Sequence, residues 1–254
     1  MPATLKRYDI TFPEISGLSQ DKEWVLFDDG ECKRKVRLHN YDEIYQVPGL
    51  YEEIFYNSLQ CCSPRVIVSM LKEEMAREGA DPKNLSVLDF GAGNGIVGEE
   101  LRKIGVSRVV GADIIPEACE AAYRDRPGVY HDYAVMDLSQ MDVFTTKSLL
   151  THKFNSLITV AALGFGDIPT QAFINAFNLV EDGGWIAFNI KETFLSDKDF
   201  TGFKDLLHTN LDTSISICAS KNYCHRLSIT GKKLHYAAVI GRKVSDMKMN
   251  DRNN

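Results

Sequence analysis

The hydrophobic rhythm of the chain changes at Ser86. From there, short apolar runs alternate with segments whose apolar residues recur every three or four positions. Val87-Leu88 enters a glycine-rich turn. Ile96, Val97, Leu101 and Ile104 then share one helical face, with Gly105 as the stop. Val106 to Ile114 reads as a second strand, Pro116 opens a second helix, Tyr133 to Met136 is a third strand and Leu157 to Ala162 a fourth. Ala172, Phe173, Ala176 and Phe177 mark a helix after Pro169, and Gly183-Gly184 turns into a fifth strand, Trp185 to Ile190. Phe200, Phe203, Leu206 and Leu207 give a further helix face. Tyr223 to Ile229 and Leu234 to Arg242 flank Thr230-Gly231 as a closing hairpin. Strands alternating with helices predict parallel βαβ units and a doubly wound α/β sheet covered on both faces, to which the hairpin adds an antiparallel strand.

Residues 1–85 follow no such rhythm. Trp24 to Phe27, Asp28-Asp29-Gly30 and Glu31 to Leu38 read as strand, turn and strand, because Asp-Gly supplies the positive φ of a tight hairpin. Residues 41–60 carry Tyr41, Tyr45, Tyr51 and Tyr56. Ser63 as N-cap, Pro64 at the first helical position and Gly79 past the end bracket a helix. The expected organisation is an N-terminal hairpin and helical lid over 1–85, an α/β domain over 86–243 and a polar, frayed tail over 244–254.

Composition narrows the function. With 254 residues, 44% apolar and 25% charged, the chain has material for one large domain and an appendage. A net charge of −6 argues against a counterion-release binder of nucleic acid. The six cysteines form no C-x-x-C pair, and adjacent Cys61-Cys62 makes a poor metal clamp. They read as reduced thiols, so a cytoplasmic location is expected. No stretch approaches the roughly 18 apolar residues of a membrane span, and none resembles a signal peptide, so no membrane association is expected. His131, His152, His208 and His235 lack metal-ligand spacing, and no metal is expected. The alternating lysines of Cys32-Lys33-Arg34-Lys35-Val36-Arg37 read as an edge strand guarded against aggregation rather than as a basic binding patch.

The informative segment is Val87-Leu88-Asp89-Phe90-Gly91-Ala92-Gly93-Asn94-Gly95, between a strand and a helix. Glycines there let the backbone approach a ligand, and the helix presents free N–H groups to the crevice. Gly93-x-Gly95-x-x-Gly98 also satisfies the dinucleotide fingerprint, with Asp113 in the ribose-binding place, so a nicotinamide-dependent oxidoreductase competes. Carboxylate placement favours a cationic nucleoside instead. Asp89, Asp113 and Asp137 end three successive strands, and Asp89 beside the turn would repel a pyrophosphate.

The ordered set VLDFGAGNG, VVGADI, AVMDL, ITVAALG and VEDGGWIAFNI resembles the class I, Rossmann-like S-adenosylmethionine-dependent methyltransferases over Ser86 to Arg242. Ile158 to Thr193 is loosely similar to small methyltransferase-like proteins of the Williams–Beuren-region type. The resemblance implies a mainly parallel seven-stranded sheet with a C-terminal antiparallel hairpin. It implies S-adenosylmethionine as cofactor and S-adenosylhomocysteine as product. Gly91, Ala92 and Gly93, followed by Gly95, would hold the methionine part, with Asp89 fixing the loop. Asp113 would take the ribose hydroxyls, Ile114 would pack on the adenine, and Asp137 would accept from its amine beside Met136 and Leu138. Ala161 and Leu163 would line the methyl-transfer edge. Asp113 and Asp137 also read as helix N-caps. Tyr51, with Tyr45 second, is the expected lid tyrosine, although both also read as half-buried core residues.

Methyl transfer is a displacement at a sulfonium carbon, so the protein chiefly aligns the reactants. Alignment alone supplies roughly 7–11 kcal/mol of the barrier. Ala161-Ala162-Leu163-Gly164-Phe165 lacks the (Asn/Asp)-Pro-Pro-(Tyr/Phe) sequence of enzymes acting on planar exocyclic amines, no Pro-Cys nucleophile of the cytosine-C5 type occurs, and no acidic pair suggests magnesium. A small-molecule acceptor is therefore expected, with a protein side chain second and nucleic acid third. His225 is the histidine to consider as a base, and it reads equally as a surface histidine on the hairpin. Tyr223, Lys191 and Glu192 lie near strand ends facing the same expected pocket. A non-catalytic module that binds the cofactor, or dimerises through the Trp24–Leu38 hairpin, fits the same motifs.

Overall fold

The computed structural model describes residues 8–15, 17–28, 30, 32–197 and 199–249. Its N-terminal part is a three-stranded antiparallel sheet of β1 (Asp9–Thr11), β2 (Trp24–Asp28) and β3 (Lys33–Arg37), in that spatial order. The expected hairpin pairs Val25 with Val36, while Asp29 and Glu31 of its turn lie outside the described residues. The tyrosine-rich segment folds as α1 (Tyr41–Gln46), α2 (Leu50–Glu52) and a π-helical turn, Glu53–Ser58. Val25, Phe27, Leu38, Ile44, Leu50 and Ile54 bury one face of each of these elements in a shared apolar cluster. Helix α3 (Ser63–Arg77) follows, with Pro64 in its first turn and Gly79 left-handed just beyond its end. Ser63 begins it, but its hydroxyl caps no backbone group, being bonded to Tyr223 and His225 instead.

The main domain then alternates strand and helix: β4 (Ser86–Phe90), α4 (Ile96–Lys103), β5 (Arg108–Asp113), α5 (Pro116–Asp125), β6 (Asp132–Val135), α6 (Val143–Leu150), β7 (Ser156–Thr159), α7 (Thr170–Asn178), β8 (Trp185–Lys191) and α8 (Phe203–Asn210). β9 (Ile215–Leu227) and β10 (Lys233–Lys243) close it as a hairpin. The spatial order β6-β5-β4-β7-β8-β10-β9 makes a seven-stranded sheet in which β10 alone is inserted antiparallel beside β8 and β9. Two apolar clusters cover its faces, one around Phe173, Phe177 and Phe188, the other around Ile67, Leu71 and Val109. This is the doubly wound α/β fold with a C-terminal hairpin that the periodicity predicts.

Two local differences matter. β7 stops at Thr159 rather than Ala162, because Ala161 adopts a left-handed φ of 59° that no strand continues. The segment after β10, expected to fray, stays packed as far as it is described. Met247 is buried, and its N–H donates to Asn178 Oδ1 at 2.8 Å. A buried ion pair joins the N-terminal part to the closing hairpin: Arg226 Nη2 meets Glu23 Oε2 at 2.8 Å, and Glu23 Oε1 accepts the N–H of Ile229 at 2.9 Å.

Candidate active site

The parallel strands end together at one edge of the sheet, where α/β proteins bind their ligands. A cavity of about 250 Å³ opens there, roofed by Tyr41, Tyr45 and Tyr51 from the N-terminal part. Of the expected cofactor residues, Gly91, Asp113, Ile114, Met136, Asp137, Leu138, Ala161 and Tyr51 all line it. Asp89, Ala92, Gly93 and Gly95 do not; they build the turn behind it.

The turn is held by its own bonds. Gly91 and Ala92 donate to the Ala112 carbonyl at 2.9 and 3.1 Å, and Gly95 donates to Ala92. Gly93 donates to Asp113 Oδ2 at 2.9 Å, while Asp113 Oδ1 accepts from Ile115 at 3.1 Å. Backbone N–H groups therefore hold both Asp113 oxygens, and the residue lines the cavity. Burial raises its pKa. A side chain at Gly91 would put Cβ 2.8 Å from that of Ala162, and one at Gly93 would collide with the Tyr45 hydroxyl.

Asp89 lies behind the turn, fully buried, and accepts the Tyr130 hydroxyl at 2.6 Å on Oδ2. Its Oδ1 has no hydrogen-bond partner among the described residues, and burial pushes its carboxyl up to about 7. Tyr133 donates to the Gly93 carbonyl at 2.8 Å, so two tyrosines brace the turn from below. Asp137 lines the cavity while capping a short 3₁₀ turn, its Oδ1 accepting from Ser139 at 2.8 Å.

The tyrosine-bearing segment is tied to the turn by charge. Glu52 Oε1 accepts from Asn94 Nδ2 at 2.9 Å and pairs with Arg126 at 2.8 Å; Arg126 also reaches Glu99. The rings of Tyr45 and Tyr51 lie 5.0 Å apart, and those of Tyr51 and Phe55 4.7 Å apart. Burial holds the hydroxyls of Tyr41, Tyr45 and Tyr51 well above their usual pKa, so all three stay neutral donors.

A second, smaller recess adjoins the first and shares Tyr41, Tyr51, Ala161, His39 and Asp167 with it. His225 lines this recess; Tyr223 sits behind it in a buried cluster with Ser63 and Asn189. Lys191 and Glu192 lie outside both hollows. The Lys191 ammonium sits 4.7 Å over the Phe165 ring, and Glu192 is exposed. Sequence reasoning passed over His39, Asp167, Asn189 and Tyr130. Asp167 Oδ2 lies 3.3 Å from His39 Nδ1 across the two parts of the chain, and no local spacing signals such a pair. Among the described residues no His, Cys, Asp and Glu group could hold a metal, and no helix is long and apolar enough to cross a membrane.

Three carboxylates, Asp113, Asp137 and Asp167, line the larger cavity without a lysine or arginine. That wall suits a cation-bearing nucleoside and opposes a pyrophosphate, and four of the turn's N–H groups are already spent internally.

The chain is 27% identical over 129 residues to a mitochondrial ubiquinone biosynthesis O-methyltransferase of Candida albicans, covering 49% of this chain and 38% of that protein. It is 43% identical over 54 residues to a ribosomal protein L11 methyltransferase of Aeromonas salmonicida, covering 20% of this chain and 18% of that one. The matches thus span well under half of these curated relatives. Among solved structures, the N-methyltransferase NodS of Bradyrhizobium japonicum WM9, in complex with S-adenosylhomocysteine, shares the fold. The TM-score is 0.55 at 14% identity, over 81% of this chain and 97% of that one. Residues 66–231 match the family described as the methyltransferase domain, and the chain belongs to that family.

Proposed function

We propose that the chain is an S-adenosylmethionine-dependent methyltransferase acting on a small molecule. The observation that carries this reading is the carboxylate wall of the larger cavity, whose described lining has no lysine or arginine to answer a phosphate. When bound, S-adenosylmethionine supplies an electrophilic methyl on a sulfonium, so transfer is a direct displacement. Asp113, held by backbone at the cavity wall, would accept the ribose hydroxyls. Ile114, 57% exposed at the cavity edge, offers an apolar face for a base. Asp137 and Leu138 flank the same end. Tyr45 and Tyr51 close the roof and exclude water, which strengthens every electrostatic contact inside.

The enclosed recess beside the cavity favours a small acceptor. A protein side chain is the second reading, favoured by the stretch shared with the protein named for modifying ribosomal protein L11. Calorimetric titration with S-adenosylmethionine, S-adenosylhomocysteine and NAD tests the cofactor. Binding of both adenosyl ligands with dissociation constants on the order of micromolar, about −8 kcal/mol, and none of NAD is expected. Binding of NAD instead overturns the reading.

A further inference from the structure

The recess holds only about 30 Å³, room for a single small polar group. Hydrogen-bond accounting fixes what His225 presents to it. The Ala161 N–H can only donate, so Asn189 must turn Oδ1 toward it, at 2.6 Å, and Nδ2 the other way. Asn189 Nδ2 then donates to Tyr223 Oη at 2.7 Å and Ser63 Oγ at 3.2 Å. The Tyr223 proton has Ser63 Oγ as acceptor, 2.6 Å away, and the Ser63 proton has His225 Nδ1, also at 2.6 Å. Every proton in the buried cluster finds an acceptor when Nδ1 is bare and Nε2 carries the hydrogen. The opposite tautomer would strand the Tyr223 hydroxyl proton. Burial, and then the neighbouring Arg226, hold the imidazole well below its usual pKa, so it stays neutral. Nε2 makes no hydrogen bond among the described residues; the ring packs on that of Tyr236, 4.2 Å between centroids, and lines the recess.

Gln20 supplies the complement. Its Nε2 donates to Tyr236 Oη at 3.0 Å, and its Oε1, on a residue of the recess wall, is buried without a partner among the described residues. Arg226 also lines the recess, but Glu23 neutralises it, and the Asp167 carboxylate stands there beside His39. A carboxylate ligand would find no net positive charge. Tyr51, Phe55 and Phe165 give the recess flat aromatic walls.

Resting on the methyltransferase reading, we infer that this recess binds the planar, neutral edge of the methyl acceptor. A carbonyl oxygen takes the His225 Nε2–H, and an adjacent N–H or O–H donates to Gln20 Oε1, as a carboxamide or lactam does. His225 is then a binding donor and not a general base.

The test uses the full chain with ¹⁵N-labelled histidine, loaded with S-adenosylhomocysteine and titrated with benzamide and with benzoate. Long-range ¹H–¹⁵N spectra, assigned through the contact of the His225 ring with that of Tyr236, read the tautomer. The expected results are hydrogen on Nε2, a shift of that nitrogen on adding benzamide, and benzamide binding at least about tenfold tighter than benzoate, 1.4 kcal/mol. Gln20→Leu and His225→Phe each weaken benzamide by a similar factor, and the wild-type spectrum needs neither variant to fold. Hydrogen on Nδ1, benzoate binding as tightly as benzamide, or no response of His225 to benzamide overturns the assignment. Failure of S-adenosylhomocysteine to bind counts instead against the methyltransferase reading, because the tautomer and the benzamide titration are also read without it.

Discussion

Asn189 Oδ1, at the heart of β8, accepts the backbone N–H of Ala161 at 2.6 Å and so holds in a left-handed conformation a residue that lines both hollows. The same amide donates to Ser63 and Tyr223. Replacing it with Leu leaves buried polar partners unsatisfied, at about 1–3 kcal/mol each. Asn189→Leu is expected to lose stability on that scale in denaturant titrations and to loosen cofactor binding. An unchanged midpoint would show that the cluster does not support the loop.

Asp113 joins the tip of β5 to the turn after β4 through Gly93 and to its own chain through Ile115. Asp113→Ala removes both the proposed ribose acceptor and the turn's anchor. Calorimetry is expected to show at least about a tenfold loss of S-adenosylmethionine affinity, 1.4 kcal/mol. Asp113→Asn keeps one acceptor oxygen and should fall between. Equal affinity in all three proteins would remove Asp113 from the site.

Asp89 should leave a mark on the pH dependence of stability. Its carboxyl sits at about 7 in the fold against an ordinary 3.8, chiefly from burial. The native state therefore binds more protons than the unfolded chain between these values, and stability falls as pH rises through them. The contribution is full below 3.8 and lost once pH passes about 7. Asp89→Asn keeps an acceptor for Tyr130 and cannot ionise. The difference in unfolding free energy between variant and wild type should grow in the variant's favour from pH 4 to about 7. A difference that stays flat with pH would mean Asp89 is ionised throughout.

The sheet was legible in the sequence because both its faces are buried. Strands such as Val109-Val110 and helix faces such as Val97 and Leu101 must then be apolar at fixed periods. Helix α6 escaped that reading because Val143 and Phe144 are exposed, so its apolar residues mark no common face. The carboxylates at strand ends were legible for a topological reason: successive parallel strands end at the same edge. What binds across the fold was not. Tyr130 lies 41 residues from Asp89, Asn189 lies 28 from Ala161, and Glu23 lies 203 from Arg226. Lys191 shows the converse, since a residue at the right strand end can still lay its side chain on Phe165 outside the cavity.

Glu23 and Arg226 are about 2–3% exposed and bind each other at 2.8 Å. Removing one partner strands a buried charge, so Glu23→Leu or Arg226→Met alone is expected to cost about 3–5 kcal/mol, while the double replacement recovers most of it. Chemical denaturation of the three variants measures the coupling. Additive losses would mean that the two side chains act independently.

The Tyr45 hydroxyl sits against Gly93 of the glycine-rich turn. Gly93 has a φ of 52°, and a Cβ there would strike the Tyr45 hydroxyl. Gly93→Ala therefore incurs two separable penalties. The left-handed backbone costs about 1–2 kcal/mol for any residue with a Cβ, and it persists whatever lies above. The collision depends on Tyr45 alone, and relieving it means lifting α1 and with it the roof formed with Tyr51. Gly93→Ala should lower both stability and cofactor affinity. Adding Tyr45→Phe deletes the colliding oxygen and should restore much of the affinity while leaving the backbone penalty in place. Full rescue of both would mean that the turn tolerates a Cβ and the hydroxyl is the whole obstacle. No rescue of affinity would mean that Tyr45 does not couple the lid to the glycine-rich turn.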